Sequence, residues 1–175
     1  LQTIRRLILT ASGGPFRDLP LEKFSGISIK DALKHPNWEM GQKITIDSAT
    51  MINKGLEVIE ANWLFGIVLG KISVLVHPES IVHSLIEYKD GSLLAQLGLP
   101  DMRIPLSFCL GWPERLELEL PQLDLSALGK LQFEKVDPLR FPCVGIALKA
   151  AEAGQSATAV LNGANEALVE SYLEE

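Results

Sequence analysis

Cysteine is scarce in this sequence: Cys109 and Cys143 are the two among 175 residues. They are too few for a disulfide scaffold and too far apart for a close zinc-binding pair, so a cross-linked secreted fold is excluded and a reducing compartment is expected. Also missing is any apolar run near the roughly 20 residues of a membrane-crossing helix, and the N-terminus has no basic stretch leading into an apolar one. Positive charge is in deficit as well, since 16 Lys and Arg against 22 Asp and Glu leave a net charge of −6. A surface that grips nucleic acid or an anionic membrane needs clustered Lys and Arg, so neither is an expected partner. A small anion held by a few local groups is compatible with the balance. The chain opens on Leu1 and closes at Leu173, Glu174 and Glu175 within a helical pattern, so a piece of a longer protein is expected.

With 47% apolar residues there is material for a real core. Residues 4–10, IRRLILT, read as a buried strand that stops at the turn-forming Ser12-Gly13-Gly14-Pro15. Residues 16–41 carry Pro20, Gly26, Pro36 and one short helical candidate at 29–34. A connection of that length in a compact domain is more often a functional flap than idle chain. KITID at 43–47 reads as a second strand, followed by a helix over residues 53–65 that Gly66 stops. In that helix Ile52, Leu56, Ile59 and Trp63 form one apolar stripe, with Asn53, Glu57 and Glu60 on another face.

Residues 71–77 form a third strand candidate, and 81–88 joins 92–99 through Lys89-Asp90-Gly91 as a hairpin. A helix over 101–112, a proline-bearing connector and two helices from Cys143 onward complete the pattern. The expected fold class is an α/β (α+β-like) catalytic domain with a mixed sheet of about four or five strands, followed by part of a C-terminal helical bundle. The expected division is 1–112 for the α/β domain with its flap at about 16–41, 113–142 for a linker and 143–175 for the partial helical domain.

The strongest chemical signal is Asp47-Ser48-Ala49-Thr50 leading to Asn53-Lys54-Gly55 at a helix start. Unpaired N–H groups and the positive dipole end make such a place an anion site, and hydroxyl, amide and ammonium groups match phosphate oxygens. The alternative is that Ser48, Thr50 or Asn53 merely caps the helix. Glu57, one turn past Asn53, either points a carboxylate at such a ligand and at Mg²⁺ or Mn²⁺, or belongs with Glu60 to a solvated face. In the 35–41 segment, His35, Trp38 and Met40 either cover a ligand on a closing loop or anchor that loop to the core. His77 and His83 are poorly spaced for joint metal ligation and read as core or ladder histidines. Gly66 to Lys71 fails as a phosphate loop, and no G-x-G-x-x-G follows a strand, so no dinucleotide-binding fold is recognisable.

Taken in order, SGGPFR (12–17), HPNWEMG (35–41), KITIDSATMINKGLEVIEANWLFG (43–66), HPESIVHS (77–84), LGLPDMR (97–103), RFPC (140–143) and ATAVLNGANE (157–166) resemble the 1-deoxy-D-xylulose 5-phosphate reductoisomerase family over nearly the whole chain. The resemblance implies conversion of 1-deoxy-D-xylulose 5-phosphate to 2-C-methyl-D-erythritol 4-phosphate in non-mevalonate isoprenoid synthesis, with NADPH and Mg²⁺, Mn²⁺ or Co²⁺ as cofactors. It implies that Ser12, Ser48, Asn53 and Lys54 bind the substrate phosphate with His35 close by, and that Glu57 is a metal ligand. Glu57, His35 and Lys54 are thereby the expected catalytic residues. It also implies that Trp38 and Met40 belong to the flap, with Met40 and Met102 on the cofactor side and Met102 near the nicotinamide. A homodimer in the bacterial cytoplasm or plastid stroma is expected. The family's Asp-Ser-Glu motif and its N-terminal NADPH domain would lie before Leu1, so this piece alone is expected to be inactive. The competing expectation is a non-catalytic phosphate-binding or dimerisation module, its sheet edges pairing between subunits.

Overall fold

The computed structural model describes residues 2–36 and 40–174. Its sheet is built around β1 (Ile4–Ala11), with β2 (Ile72–Val76) parallel on one side and β3 (Val82–Tyr88) antiparallel on the other. β4 (Leu93–Leu97) extends the sheet past β3, and β5 (Glu134–Lys135) pairs with the end of β2, giving the order β4-β3-β1-β2-β5. The expected mixed sheet followed by helices is present. The hairpin turn closes as its residues dictate: Gly91 takes φ 87°, and Asp90 Oδ1 accepts the Ser92 N–H at 2.9 Å. The helices are α1 (Ile29–Ala32), α2 (Gln42–Ala49), α3 (Ile52–Phe65), α4 (Arg103–Gly111), α5 (Leu125–Leu128), α6 (Pro142–Ala153) and α7 (Ala157–Glu174).

Residues 43–47 are the body of α2 and not the strand that their alternation suggests. In a strand with Ile44 and Ile46 inward, Lys43, Thr45 and Asp47 would face water. Instead Thr45 and Asp47 are buried, at 2% and 1% exposure. Helical spacing supplies the partners that burial requires: Lys43 Nζ lies 2.7 Å from Asp47 Oδ2 at i,i+4, and Thr45 Oγ1 donates to the Gly41 carbonyl at 2.8 Å. Asn165 Nδ2 of α7 donates to the other carboxylate oxygen at 2.8 Å. A short apolar alternation is weaker than a buried carboxylate that is paired only in a helix.

α3 is buried on two sides. Val58 and Ala61 pack with Leu7, Ile67 and Ile72 against the sheet, while Ile52 and Ile59 pack with Ala147 of α6, flanked by Leu56 and Cys143. Trp63 does not continue that stripe, because it is 76% exposed. The α3–α6 crossing is closest at Gly55, two turns before Trp63, where a Cβ would stand 2.4 Å from Ala147 Cβ. Before α2, Phe16, Ile27 and Leu33 gather around a small core of Ala32, Ile46 and Val169, so the segment preceding residue 36 rests on α2 and α7.

Gly55→Ala should therefore destabilise the chain although alanine favours a helix. The propensity gain of about 1 kcal/mol opposes an overpacking cost of about 1–3 kcal/mol, here at its upper end because the obstructing atom is a rigid Cβ. A drop of several degrees in melting temperature is expected, partly restored by adding Ala147→Gly. An unchanged or higher melting temperature would show that α6 can retreat freely.

Candidate active site

α2 and α3 are separated by Thr50 and Met51 alone. Met51 holds φ 58°, ψ 14°, the left-handed region that costs an L-residue roughly 1–2 kcal/mol. Burial holds it there: the residue is 2% exposed and packs with Val76, Phe141 and Val144. Its N–H donates to the Ser48 carbonyl at 3.1 Å, and its carbonyl accepts the N–H groups of Lys54 and Gly55 at 3.1 and 3.2 Å. Side-chain capping of α3 is confined to Thr50 Oγ1, which accepts the Ile52 N–H at a long 3.4 Å. The Asn53 amide is bonded to Glu57 and does not cap α3.

This turn brings Asn53, Lys54 and Glu57 into the same cleft as Thr10, Ala11 and Ser12 at the end of β1. The cleft has a volume of about 730 Å³. Glu57 is the hub of its polar wall: Oε1 accepts from Asn53 Nδ2 at 2.8 Å, and Oε2 pairs with Lys54 Nζ at 2.6 Å. Lys54 is largely shielded while Glu57 keeps a third of its side chain exposed, so the carboxylate faces the opening. Ser12 Oγ lies 3.1 Å from His35 Nε2 and accepts the Gly14 N–H at 3.2 Å. Gly14 has φ 64°, and a Cβ there would meet the Ser48 carbonyl and Ala49 Cα at 2.9 Å, so the Ser12 loop sits directly on the end of α2.

Of the residues singled out in the sequence, Ser12, His35, Met40, Asn53, Lys54, Glu57 and Met102 line this cleft. Ser48 is not among the lining residues; it lies behind the loop, half-buried. Trp38 falls outside the described residues. His77 is indeed a core histidine: it is fully buried, its Nε2 accepts the Ile81 N–H at 3.1 Å, and Nδ1 lies 2.8 Å from the Gln132 carbonyl and 3.1 Å from Glu79. His83 fits the ladder description, with Nε2 3.0 Å from the Gly98 carbonyl. Both nonetheless reach the cleft wall. Sequence reasoning missed Phe108 and Arg115, whose guanidinium stands 3.7 Å over the Phe108 ring. Arg115 sits in the stretch assigned to a linker, and no local pattern marks it.

Among the described residues no group of three or more His, Cys, Asp or Glu can hold a metal ion. Glu57 offers one carboxylate, already satisfied by Lys54 and Asn53. These residues do not by themselves make a divalent-ion site, which needs several oxygen donors.

Two family models match this chain: that of the 1-deoxy-D-xylulose 5-phosphate reductoisomerase C-terminal domain over residues 1–65, and that of the DXP reductoisomerase C-terminal domain over residues 97–175. The reductoisomerase of Anaeromyxobacter sp. (strain K) is 59% identical over 97% of this chain, and that of Trichlorobacter lovleyi is 57% identical over 99%. The chain spans 44% of the length of each. A crystal structure of DOX-P reductoisomerase in complex with NADPH, fosmidomycin and magnesium superimposes with a TM-score of 0.95 at 51% identity, covering 98% of this chain and 42% of that one. The Zymomonas mobilis enzyme in complex with NADPH gives 0.90 at 47%, covering 99% and 44%.

Burial against the Ser12 loop lowers the proton affinity of His35 below that of an ordinary histidine. The unfolded chain then binds this proton more tightly than the folded one. The contribution of His35 to stability is intact above the ordinary histidine pKa and is lost as the pH falls below it. Following the His35 ring protons by NMR should give a midpoint below the ordinary value of about 6.5. A midpoint at or above that value would mean that the ring is solvated or faces a carboxylate.

Proposed function

The chain belongs to the 1-deoxy-D-xylulose 5-phosphate reductoisomerase family, and from that membership we propose that it is the substrate-binding part of an enzyme that rearranges and reduces 1-deoxy-D-xylulose 5-phosphate to 2-C-methyl-D-erythritol 4-phosphate in isoprenoid precursor synthesis. The observation that carries the proposal is the convergence of Ser12, His35, Asn53, Lys54 and Glu57, from three separate segments, on one cleft. The phosphate takes Lys54 as its charged partner, with Asn53 and the Ser12 hydroxyl as neutral donors and Ser48 nearby. Binding energy spent on this remote group orients the reacting carbons. When Lys54 turns to a phosphate, Glu57 loses its counter-ion, and its negative charge becomes available beside the oxygens that react. Met102, Leu99 and Phe108 form an apolar wall suited to a flat cofactor ring and to excluding water.

NADPH and magnesium, which the similar structures contain, are proposed as cofactors of the whole protein. This chain brings Glu57 toward the metal and Met102 with Met40 toward the nicotinamide. The remaining metal ligands and the dinucleotide fold are proposed to lie in the part of the whole protein that this chain does not span. Because one carboxylate does not make a metal site, the chemistry assigned to this chain is anion binding, orientation, water exclusion and the single negative charge of Glu57.

Substrate-dependent NADPH oxidation by the complete protein is the test. Lys54→Ala should raise KM by roughly one to two orders of magnitude with a smaller change in kcat, as expected for losing a charge-assisted bond of about 1.5–3 kcal/mol. Glu57→Gln keeps volume and one acceptor but removes the charge, and should abolish most of kcat while the fold persists at a modestly lower melting temperature, because Lys54 loses its counter-ion. Wild-type KM in the first variant together with near-normal kcat in the second would dismiss the site.

A further inference from the structure

We infer that Arg140 is a positioning residue for the Ser12–His35 pair, acting from the other end of the chain through the turn at residues 16–19. Its side chain is 17% exposed, and its Nη1 donates to the Phe16 carbonyl at 2.9 Å and also to the Leu19 carbonyl. The same guanidinium lies 5.5 Å from the Phe24 ring centre. Arg140 is itself presented by a turn in which Asp137 Oδ1 accepts the N–H of Leu139 at 2.9 Å and of Arg140 at 3.4 Å. A planar cation with several fixed donors is suited to gathering two convergent carbonyls; without it the Phe16 carbonyl keeps the Leu19 N–H, but nothing draws the two carbonyls together and the turn loosens.

The connection to the cleft runs through named contacts. Phe16 and Leu19 are joined by an N–H to carbonyl bond of 3.2 Å, which brackets Arg17. Arg17 Nη1 donates to the Ser12 carbonyl at 3.0 Å and its guanidinium pairs with Asp18 at 2.8 Å. Ser12 then presents its hydroxyl to His35 Nε2 and to the Gly14 N–H. Arg140 thus fixes the turn, the turn aims Arg17, and Arg17 holds the backbone of Ser12. Arg140 touches no residue of the polar wall itself, which separates positioning from catalysis. The inference rests on the proposal that Ser12 and His35 bind the substrate phosphate.

The test compares Arg140→Ala, Ser12→Ala and their double variant in the complete protein. Arg140→Ala is expected to raise KM for 1-deoxy-D-xylulose 5-phosphate about tenfold, with kcat little changed and with partial recovery on adding guanidinium ion. In the Ser12→Ala background the same change should add little, because the group it positions is gone; a clamp that only stabilises the fold would show no such coupling. Wild-type KM for Arg140→Ala, or effects that multiply in the double variant, would overturn the positioning role while leaving the phosphate site standing. Wild-type KM for Ser12→Ala alone would overturn the site reading and the inference with it. Should Arg140→Ala fail to fold, Arg140→Lys keeps the charge without the fork, and a wild-type KM there overturns the inference equally.

Discussion

If Met51 took the right-handed conformation of its neighbour Thr50, α2 and α3 would run on as one helix from Gln42 to Phe65. Asn53, Lys54 and Glu57 would then rotate away from the end of β1, and no cleft would join them to Ser12. The left-handed backbone at Met51 is therefore the constraint on which the polar wall depends. It costs roughly 1–2 kcal/mol, and full burial of a methionine side chain contributes about 1.5–3 kcal/mol in the other direction. The atoms that bury it are Val76 of β2 with Phe141 and Val144 at the start of α6. The turn that shapes the cleft is thus stabilised jointly by the sheet and by the C-terminal helices, and local preference plays little part.

The same dependence on distant segments appears twice more. Asp47 of α2 is satisfied by Asn165 of α7, and the turn that follows Ser12 is satisfied by Arg140 ahead of α6. A buried carboxylate such as Asp47 that loses a partner costs more than a typical pair contributes, while the half-buried carbonyls held by Arg140 make a weaker link. The polar wall follows similar logic. Lys54 is nearly buried, and without an anion its charge would be expensive; Glu57 at 2.6 Å removes that expense. In the proposed function a phosphate would replace one anionic partner of Lys54 by another, so binding would not strip a bare cation of its solvent.

Long periodic segments were legible in the sequence because period and environment agree in them. The hairpin around Asp90-Gly91, the body of α3, and α6 and α7 form where their patterns place them, although Trp63, Leu93 and Leu94, Ile146, and Val160 with Leu168 stay exposed. Residues 43–47 misled because a period of two in five residues is compatible with a helix whose polar side is also buried. β5 carries no pattern at all: Glu134 and Lys135 are two exposed charged residues whose pairing with Leu75 and Val76 depends on where the connector passes. In the cleft, the motif residues were legible by likeness to a family. The backbone of Met51 and the position of Arg115 were not, because methionine has no left-handed preference and an arginine among linker residues has no local reason to face a cleft.

Net charge and the charges inside the cleft act over different distances here. The chain carries −6 overall, which would repel a phosphate if the whole surface acted at once. At physiological ionic strength exposed charges farther than about 8 Å are largely screened. A phosphate bound as proposed would meet the nearest groups: the Lys54 ammonium, shielded from water, its partner Glu57, and the dipoles of the Asn53 amide and the Ser12 hydroxyl. Shielding makes Lys54 and its partner Glu57 count for more than distant exposed carboxylates, because the fields of both are less diluted by solvent. A small anion that fits inside the cleft is therefore governed by the few groups within hydrogen-bonding reach and not by the net charge.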